Sequence, residues 1–278
     1  METFALKAAL ENVRAKTPLV HCITNYVTVN DCANALLACG GSPIMSDEPQ
    51  DVVDITTICG GLVLNIGTLN LRTINGMQLA GTTATQLGHP ILLDPVGAGA
   101  STLRTQTAAM LLDSCKIGII RANMSEVKAL VGASATTRGV DVNPDDMVTP
   151  DNLVASADYA RTLAKTCGAI VAITGAIDIV ADGERAFAIY NGKPIMGRVT
   201  GTGCMLSCTT AAYAVANPEN MLEAVLAAVA GHGVAGEIAQ ERMKPGCGNG
   251  SFRTYFLDAL YNLDGETLET RAKVEKIS

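Results

Sequence analysis

Apolar and polar positions along this chain fall into two alternating regimes. Four short runs are apolar throughout and close on polar or glycine residues. They are Leu62-Val63-Leu64-Asn65-Ile66-Gly67, Ile91-Leu92-Leu93-Asp94-Pro95, Ile117-Gly118-Ile119-Ile120-Arg121 and Ile170-Val171-Ala172-Ile173-Thr174-Gly175. Runs of this kind suit strands buried on both faces. Between them the apolar positions recur at helical spacing. Residues 151–166 set Leu153, Ala157, Ala160 and Ala164 on one stripe, with Thr149 as a cap and Pro150 at the first helical position. Near the start, Leu6, Leu10 and Val13 share a helical face. Strand and helix in alternation predict an α/β fold, with a central, mainly parallel sheet covered by helices on both faces. No repeat, low-complexity block or linker interrupts the pattern. A single domain is expected over residues 1–263, followed by a polar C-terminal tail over 264–278.

The strand ends narrow the site. Asn65 and Gly67, Asp94, Arg121 with Asn123, and Thr174 with Gly175 all follow apolar runs. In open parallel sheets ligands bind beyond the carboxyl ends of the strands. The four ends therefore predict one rim carrying an acid, a base and several amides.

Composition removes other classes. The formal net charge of −7 argues against a general nucleic-acid binder, which needs a basic face. The stretch Met1 to Lys7 lacks the basic-then-apolar pattern of a signal peptide. No continuous apolar run of membrane-spanning length is expected, and the most apolar late segment, 221–230, is broken by Glu223. The nine cysteines are odd in number and form no CxxC pair. That argues against a disulfide framework and gives structural zinc little support. Most read as small buried hydrophobes of a cytoplasmic protein.

The strongest chemical signal is Val199-Thr200-Gly201-Thr202-Gly203-Cys204, leading into a helix over 205–216. Small residues and two glycines let backbone N–H groups and the positive helix end face an anion. It is not a Walker loop, since no GK[ST] follows. Cys204 would begin the helix, where a thiol pKa is expected to fall; Cys208, one turn on, would point into the core. Asp94, in Asp94-Pro95-Val96-Gly97-Ala98-Gly99, could hold Mg²⁺ directly or through water. Arg121-Ala122-Asn123-Met124-Ser125-Glu126 adds a cation, an amide and an acid. Its Asn123-to-Glu126 spacing suits either a helix cap or metal organisation beside Asp94. A lone His21 on a strand is expected to be a hydrogen-bonded core residue.

Together these segments resemble the hydroxyethylthiazole kinase family of the ribokinase-like superfamily. The likeness runs from Thr17 almost to the end. It rests on Pro18-Leu19-Val20-His21-Cys22-Ile23-Thr24-Asn25, Ser42-Pro43-Ile44-Met45, Asn65-Ile66-Gly67-Thr68-Leu69, Leu93-Asp94-Pro95-Val96-Gly97 and Gly201-Thr202-Gly203-Cys204. The resemblance implies a ribokinase-like fold and ATP-dependent phosphorylation of a thiazole alcohol, with Mg²⁺. It implies that Asn25 and Met45 line the thiazole pocket and that Gly201 touches substrate through its backbone. Arg121 and Thr174 would contact the ATP phosphates, and Asp94 and Glu126 would organise Mg²⁺. Gly201, Thr202, Gly203 and Cys204 would form the anion hole, with Cys204 where many ribokinase-like enzymes carry an aspartate base. A homotrimer with sites between subunits is also implied. Two departures stand out: Ala122 and Ala176 replace a glycine and a glutamate usual in the family. Other readings of the same fold are a different vitamin kinase, an ATP-dependent dehydratase of hydrated nicotinamide cofactors, or a non-catalytic thiazole or nucleotide sensor.

Overall fold

The computed structural model describes residues 4–135 and 147–278. Of the N-terminal stretch read above, residues 1–3 lie outside the described residues. Among the described residues there are nine strands: β1 (Leu19–Ile23), β2 (Ser42–Ile44), β3 (Gly61–Asn65), β4 (Ile91–Asp94), β5 (Ile119–Ala122), β6 (Ile170–Ile173), β7 (Asp178–Ala181), β8 (Ala186–Ile189) and β9 (Val274–Ile277). They form one sheet in the order β2-β1-β3-β4-β5-β6-β7-β8-β9. Every pair from β2 to β6 is parallel, and β6 to β9 pair antiparallel. The four apolar runs read from the sequence are β3 to β6, side by side. Each parallel crossover needs a connecting helix, which the spacing of the runs supplies.

The helices are α1 (Leu6–Lys16), α2 (Val29–Cys39), α3 (Val52–Ile58), α4 (Leu71–Leu87), α5 (Thr102–Ser114), α6 (Met124–Ala135), α7 (Leu153–Cys167), α8 (Thr202–Ala216), α9 (Met221–Glu241), α10 (Asn249–Asn262) and α11 (Gly265–Arg271). Alternate strand residues feed two cores. Leu62, Leu64, Ile91, Leu93, Ile120 and Ile173 pack with Met77 and Ala80 of α4, Leu111 of α5 and Ala157 and Ala160 of α7. Val63, Leu92, Ile119 and Ala172 face the other way, onto Val13 of α1, Leu36 of α2, Ala212 of α8 and Val225 of α9. Burying a side chain of this size contributes about 1.5–3 kcal/mol relative to exposure, so this two-sided pattern fixes the strand register. Thr149 and Asn152 close a capping box on the 3₁₀ turn at 150–152 that leads into α7, as the Thr149-Pro150 signal predicts.

Two expectations change. Residues 264–278 are not a tail: they form α11 and β9, and β9 closes the antiparallel edge against β8. Their polarity reflects an edge strand with one side in water. Second, α9 is long and apolar enough by length and composition to cross a membrane, yet 83% of its most apolar window is buried inside the fold. It serves as a core helix over β6 and β7.

Helix α8 matters most for the site. It lies over β1, β3 and β4, and its first turn rises above the carboxyl ends of the strands. Close approach needs small residues beneath it. A Cβ on Gly61 of β3 would fall 2.5 Å from Val215 Cγ2, so any larger residue there would push the Val215 side chain of α8 aside.

Candidate active site

The rim expected from the strand ends is assembled around Asp94, which is fully buried. Its two carboxylate oxygens accept from Arg121 Nη2 at 2.8 and 2.9 Å. Oδ2 also accepts from Asn65 Nδ2 at 2.7 Å and from Ser207 Oγ at 2.7 Å. The β3–β4 register places Asn65 opposite Asp94, so two consecutive strand ends build this cluster. Arg121 is the penultimate residue of β5 and is itself buried. Its Nε donates to Ser207 Oγ at 3.1 Å and its Nη1 to Thr174 Oγ1 at 3.1 Å. Burial opposes its charge, but Asp94 and Glu126 hold the guanidinium ionised. The result is a positive charge fixed at one point and unable to swing.

That charge sits beneath the first turn of α8. A Cβ on Gly203 would lie 2.7 Å from Arg121 Nη1, so only glycine lets the guanidinium approach the turn. Gly201 has φ of 89°, and a Cβ there would meet Thr28 Cγ2 at 2.6 Å. Each glycine of Gly201-Thr202-Gly203-Cys204 thus has its own steric reason. Gly201 offers no side-chain cap, and the N–H groups of Thr202, Gly203 and Cys204 have no acceptor one turn back within the helix. The turn combines orphan donors, a helix dipole and a buried cation, which is a strong anion site.

The turn also divides two regions. Thr202 and Gly203 line a cavity of about 760 Å³, with Asn123, Thr174, Gly175, Ala176, Asp178 and His232 among its walls. Asn25, Met45 and Cys204 are not among those walls. On their side, Cys204 Sγ accepts from Asn25 Nδ2 at 3.2 Å and Asn65 Nδ2 at 3.3 Å. Asn25 is pinned in turn, its Oδ1 accepting from the Thr28 N–H and hydroxyl. Met45 follows β2 and packs, half-buried, against the core under α1 and α2. The β1–β2 pairing brings Asn25 and Met45 to the same rim.

Several sequence expectations are corrected or refined. The Cys204 pKa is raised, not lowered: burial and the charge of Asp94 outweigh Arg121. Cys204 is therefore a neutral thiol at neutral pH. Cys208 is fully buried, as expected. His21 is a satisfied core residue, hydrogen-bonded to Thr56 Oγ1 and the Ser46 carbonyl, each at 2.9 Å. The Ala122 methyl packs in the core beneath β5 and does not line the cavity, whereas Ala176 does.

Magnesium was expected at Asp94 and Glu126. Glu126 accepts from the Gly97 and Asn123 N–H groups, each at 2.8 Å, and Asn123 Oδ1 accepts from the Glu126 N–H at 2.9 Å. The helix-cap reading is thus realised, and Glu126 also ties the β4 loop to the start of α6. Among the described residues no group of three or more His, Cys, Asp or Glu side chains is arranged to hold a metal ion. With both carboxylates already engaged, the donor set fits a magnesium ion that arrives on phosphate oxygens and keeps most of its waters. It does not fit an ion gripped by protein alone. Direct ligation by Asp94 is the less favourable of the two modes considered from the sequence, because Arg121, Asn65 and Ser207 occupy its oxygens.

Four residues at the site had no assignment from the sequence. Ser207 reads as part of an apolar helix, and its only signal is its place one turn after Gly203. Asp178 opens β7, accepts from the Gly175 N–H at 2.8 Å, and is pushed up to about 7 by burial in the cavity wall. Arg104 donates to the Val96 carbonyl at 2.6 Å and the Gly67 carbonyl at 2.8 Å, joining the β3 and β4 loops. His232 lies deep in α9.

Comparison with known proteins finds relatives over nearly the whole chain. The profile of the hydroxyethylthiazole kinase family matches residues 10–266. A hydroxyethylthiazole kinase of Clostridium acetobutylicum is 52% identical over 270 residues, covering 97% of this chain and 99% of that protein. The structure of a hydroxyethylthiazole kinase protein from Pyrococcus horikoshii superposes with a TM-score of 0.87 at 36% identity, covering 98% of this chain and 99% of that one. A ribokinase-like superfamily protein of Enterococcus faecalis shares the fold alone, with a TM-score of 0.59 at 12% identity, over 91% of this chain and 89% of that one.

Proposed function

The chain belongs to the hydroxyethylthiazole kinase family, and on that premise we propose that it transfers the γ-phosphoryl group of ATP to the primary alcohol of 4-methyl-5-(2-hydroxyethyl)thiazole. One observation carries the reading at the level of the site. The first turn of α8 has the nucleotide-sized cavity on one side and the Asn25–Asn65–Cys204 cluster on the other. A phosphoryl group in transit between two substrates needs an anion site at such a boundary.

The mechanism follows from fixed charge. ATP phosphates lie in the cavity against Thr174, Gly175 and the first turn of α8. Phosphoryl transfer passes through a loose transition state, so positioning and charge stabilisation dominate. Arg121, tethered by Asp94, Ser207 and Thr174, supplies positive charge below Gly203 without having to reorganise. The N–H groups of Thr202, Gly203 and Cys204 receive the equatorial oxygens. The thiazole alcohol enters from the other side, over Asn25, Met45 and the Gly201 backbone. Glu126 and Asp94 would hold magnesium only through water, and the ion would supply neutralisation of phosphate charge. Cys204, held as a neutral thiol, is not a competent base; the alcohol proton, lost late in a loose transfer, passes to an oxygen of the transferred phosphoryl group.

Two further elements of the reading are a homotrimer and a cytoplasmic setting. Tyr26 and Val27, directly after Asn25, are 77% and 60% exposed. Apolar side chains beside the acceptor rim support a neighbouring subunit covering it.

The test is ADP release by purified protein with MgATP and a panel of small alcohols, with the product identified by mass. Thiazole alcohol is expected to give the highest kcat/KM and a product heavier by one phosphoryl group. ADP release unaffected by every alcohol would sink the kinase reading, and preference for another vitamin alcohol would reassign the substrate.

A further inference from the structure

We propose that His232 is a positioning residue for phosphoryl transfer, holding in place the peptide group through which α8 presents the Gly203 N–H to the cavity. The inference rests on the reading of the α8 turn as the phosphoryl site, and adds a residue from a different helix to it.

His232 lies in the middle of α9 and is 4% exposed. Its Nε2 is 2.9 Å from the Thr202 carbonyl oxygen. A carbonyl can only accept, so Nε2 carries the proton and Nδ1 is bare. Nδ1 has no hydrogen-bond partner among the described residues. A buried acceptor without a partner is unfavourable. A phenylalanine would make the same edge-to-face packing that His232 makes on Phe256, at 4.7 Å between ring centres, without that penalty. The one thing histidine adds here is its contact with Thr202. Burial pulls its pKa down to about 3, so the ring stays neutral and its tautomer is fixed. It is not an acid or base in the reaction.

The carbonyl it holds is the other end of a functional peptide. Thr202 C=O and Gly203 N–H belong to one planar amide. Donation to the carbonyl orients that plane and polarises its N–H, since linked hydrogen bonds strengthen one another. The Gly203 N–H is among the first-turn donors left without an intrahelical acceptor, and Gly203 lines the cavity. The Thr202 side chain secures the same residue from another direction, its Oγ1 donating to the Met196 carbonyl at 3.0 Å and approaching the Val199 carbonyl at 3.3 Å. Arg121 blocks movement from below. His232 thus completes a three-sided clamp on the turn that receives the transferring group.

His232→Phe keeps the ring packing and removes the donor; His232→Gln restores an N–H of similar reach. In the phenylalanine variant kcat is expected to fall about 10–100-fold, less than the ~10²–10³-fold for removing an anion-hole donor outright, with both KM values and the melting temperature near those of the parent. The glutamine variant should recover most of the loss. A folded His232→Phe with parental kcat, or a loss that glutamine does not repair, would overturn the proposal. A second measurement needs no variant. Imidazole ¹⁵N spectra of the parent should show Nε2 protonated and Nδ1 bare. The Nε2 signal should move when MgADP with aluminium fluoride, a mimic of the transferring phosphoryl, is added, and less with MgADP alone. An Nε2 signal indifferent to the mimic contradicts the proposal even if the phenylalanine variant fails to fold. Parental turnover of the thiazole alcohol is measured separately, so an inert parent counts against the kinase reading and not against this contact.

Discussion

The two sides of the α8 turn are built on opposite principles. On the acceptor side the polar atoms are almost all paired with one another. Asn25 binds Thr28, Asn65 and Cys204, while Asn65 binds Asp94 and the Gly67 N–H. On the nucleotide side there is a large space, with Thr174, Asp178 and the first-turn donors on its walls. The difference suits the job that the proposed function gives each side. A small, nearly uncharged alcohol offers little to hold, so its side must be rigid beforehand. A triphosphate brings charge and hydrogen-bonding capacity of its own, so its side can be open.

The comparison breaks most severely at Asp94, which binds Asn65 towards one side and Arg121 towards the other. Asp94→Asn leaves Arg121 charged and buried without its partner. Loss of a buried ion-pair partner typically costs about 3–5 kcal/mol, and turnover should fall by about 10²–10³-fold as the guanidinium loses its aim. Urea melts and steady-state kinetics check both. A variant with parental stability and turnover would remove Asp94 from the centre of the account.

A smaller effect is expected on the acceptor side. Because burial and Asp94 keep the Cys204 thiol neutral, Cys204→Ala should lose about 10–100-fold at most. Cys204→Asp should equal or exceed the parent, its carboxylate accepting from the Asn25 and Asn65 amides. A folded alanine variant with no turnover, together with a phosphorylated Cys204 in intact-protein mass spectra, would instead indicate covalent catalysis.

The smallest effect belongs to the nucleotide side and is one of pH. Burial raises the Asp178 carboxyl from 3.8 to about 7. The unfolded chain ionises first, so this group lowers folded-state stability progressively as pH rises from about 4 to about 7. In Asp178→Asn the amide keeps the Gly175 contact and does not ionise. Its melting temperature should therefore gain on the parent by a few degrees between pH 4.5 and pH 7.5. A difference that stays constant over that range would mean that Asp178 is ionised normally.

Much of the candidate site was legible in the sequence because it is assembled from strand ends. Asp94, Arg121 and Thr174 follow apolar runs, and their residue types are out of place in a core. The GTGC turn was legible for a similar reason: two glycines before a helix have few structural uses. Ser207 and His232 were hidden because each lies within a helix buried on nearly all sides, where a small polar residue or an imidazole reads as filler. Their roles depend on Arg121 and Thr202, which no local pattern brings to them. The sign of the Cys204 shift was equally inaccessible. The helix end, visible locally, favours thiolate, but the stronger influences are burial and Asp94, which arrive through the fold. β9 was missed because Val274-Glu275-Lys276-Ile277 has the polarity of a tail, and pairing with β8 is what makes it a strand.

The central claim is that the α8 turn separates two binding regions, and Michaelis constants of paired variants test it most directly. Met45→Ala should raise KM for the thiazole alcohol about tenfold and leave KM for MgATP within about twofold, because its thioether packs on the acceptor side only. Thr174→Val should do the reverse, since Thr174 lines the nucleotide cavity and holds Arg121. The account predicts this crossed pattern. If both substitutions moved the same constant, the two regions would be one, and the turn would not be the boundary across which phosphate passes.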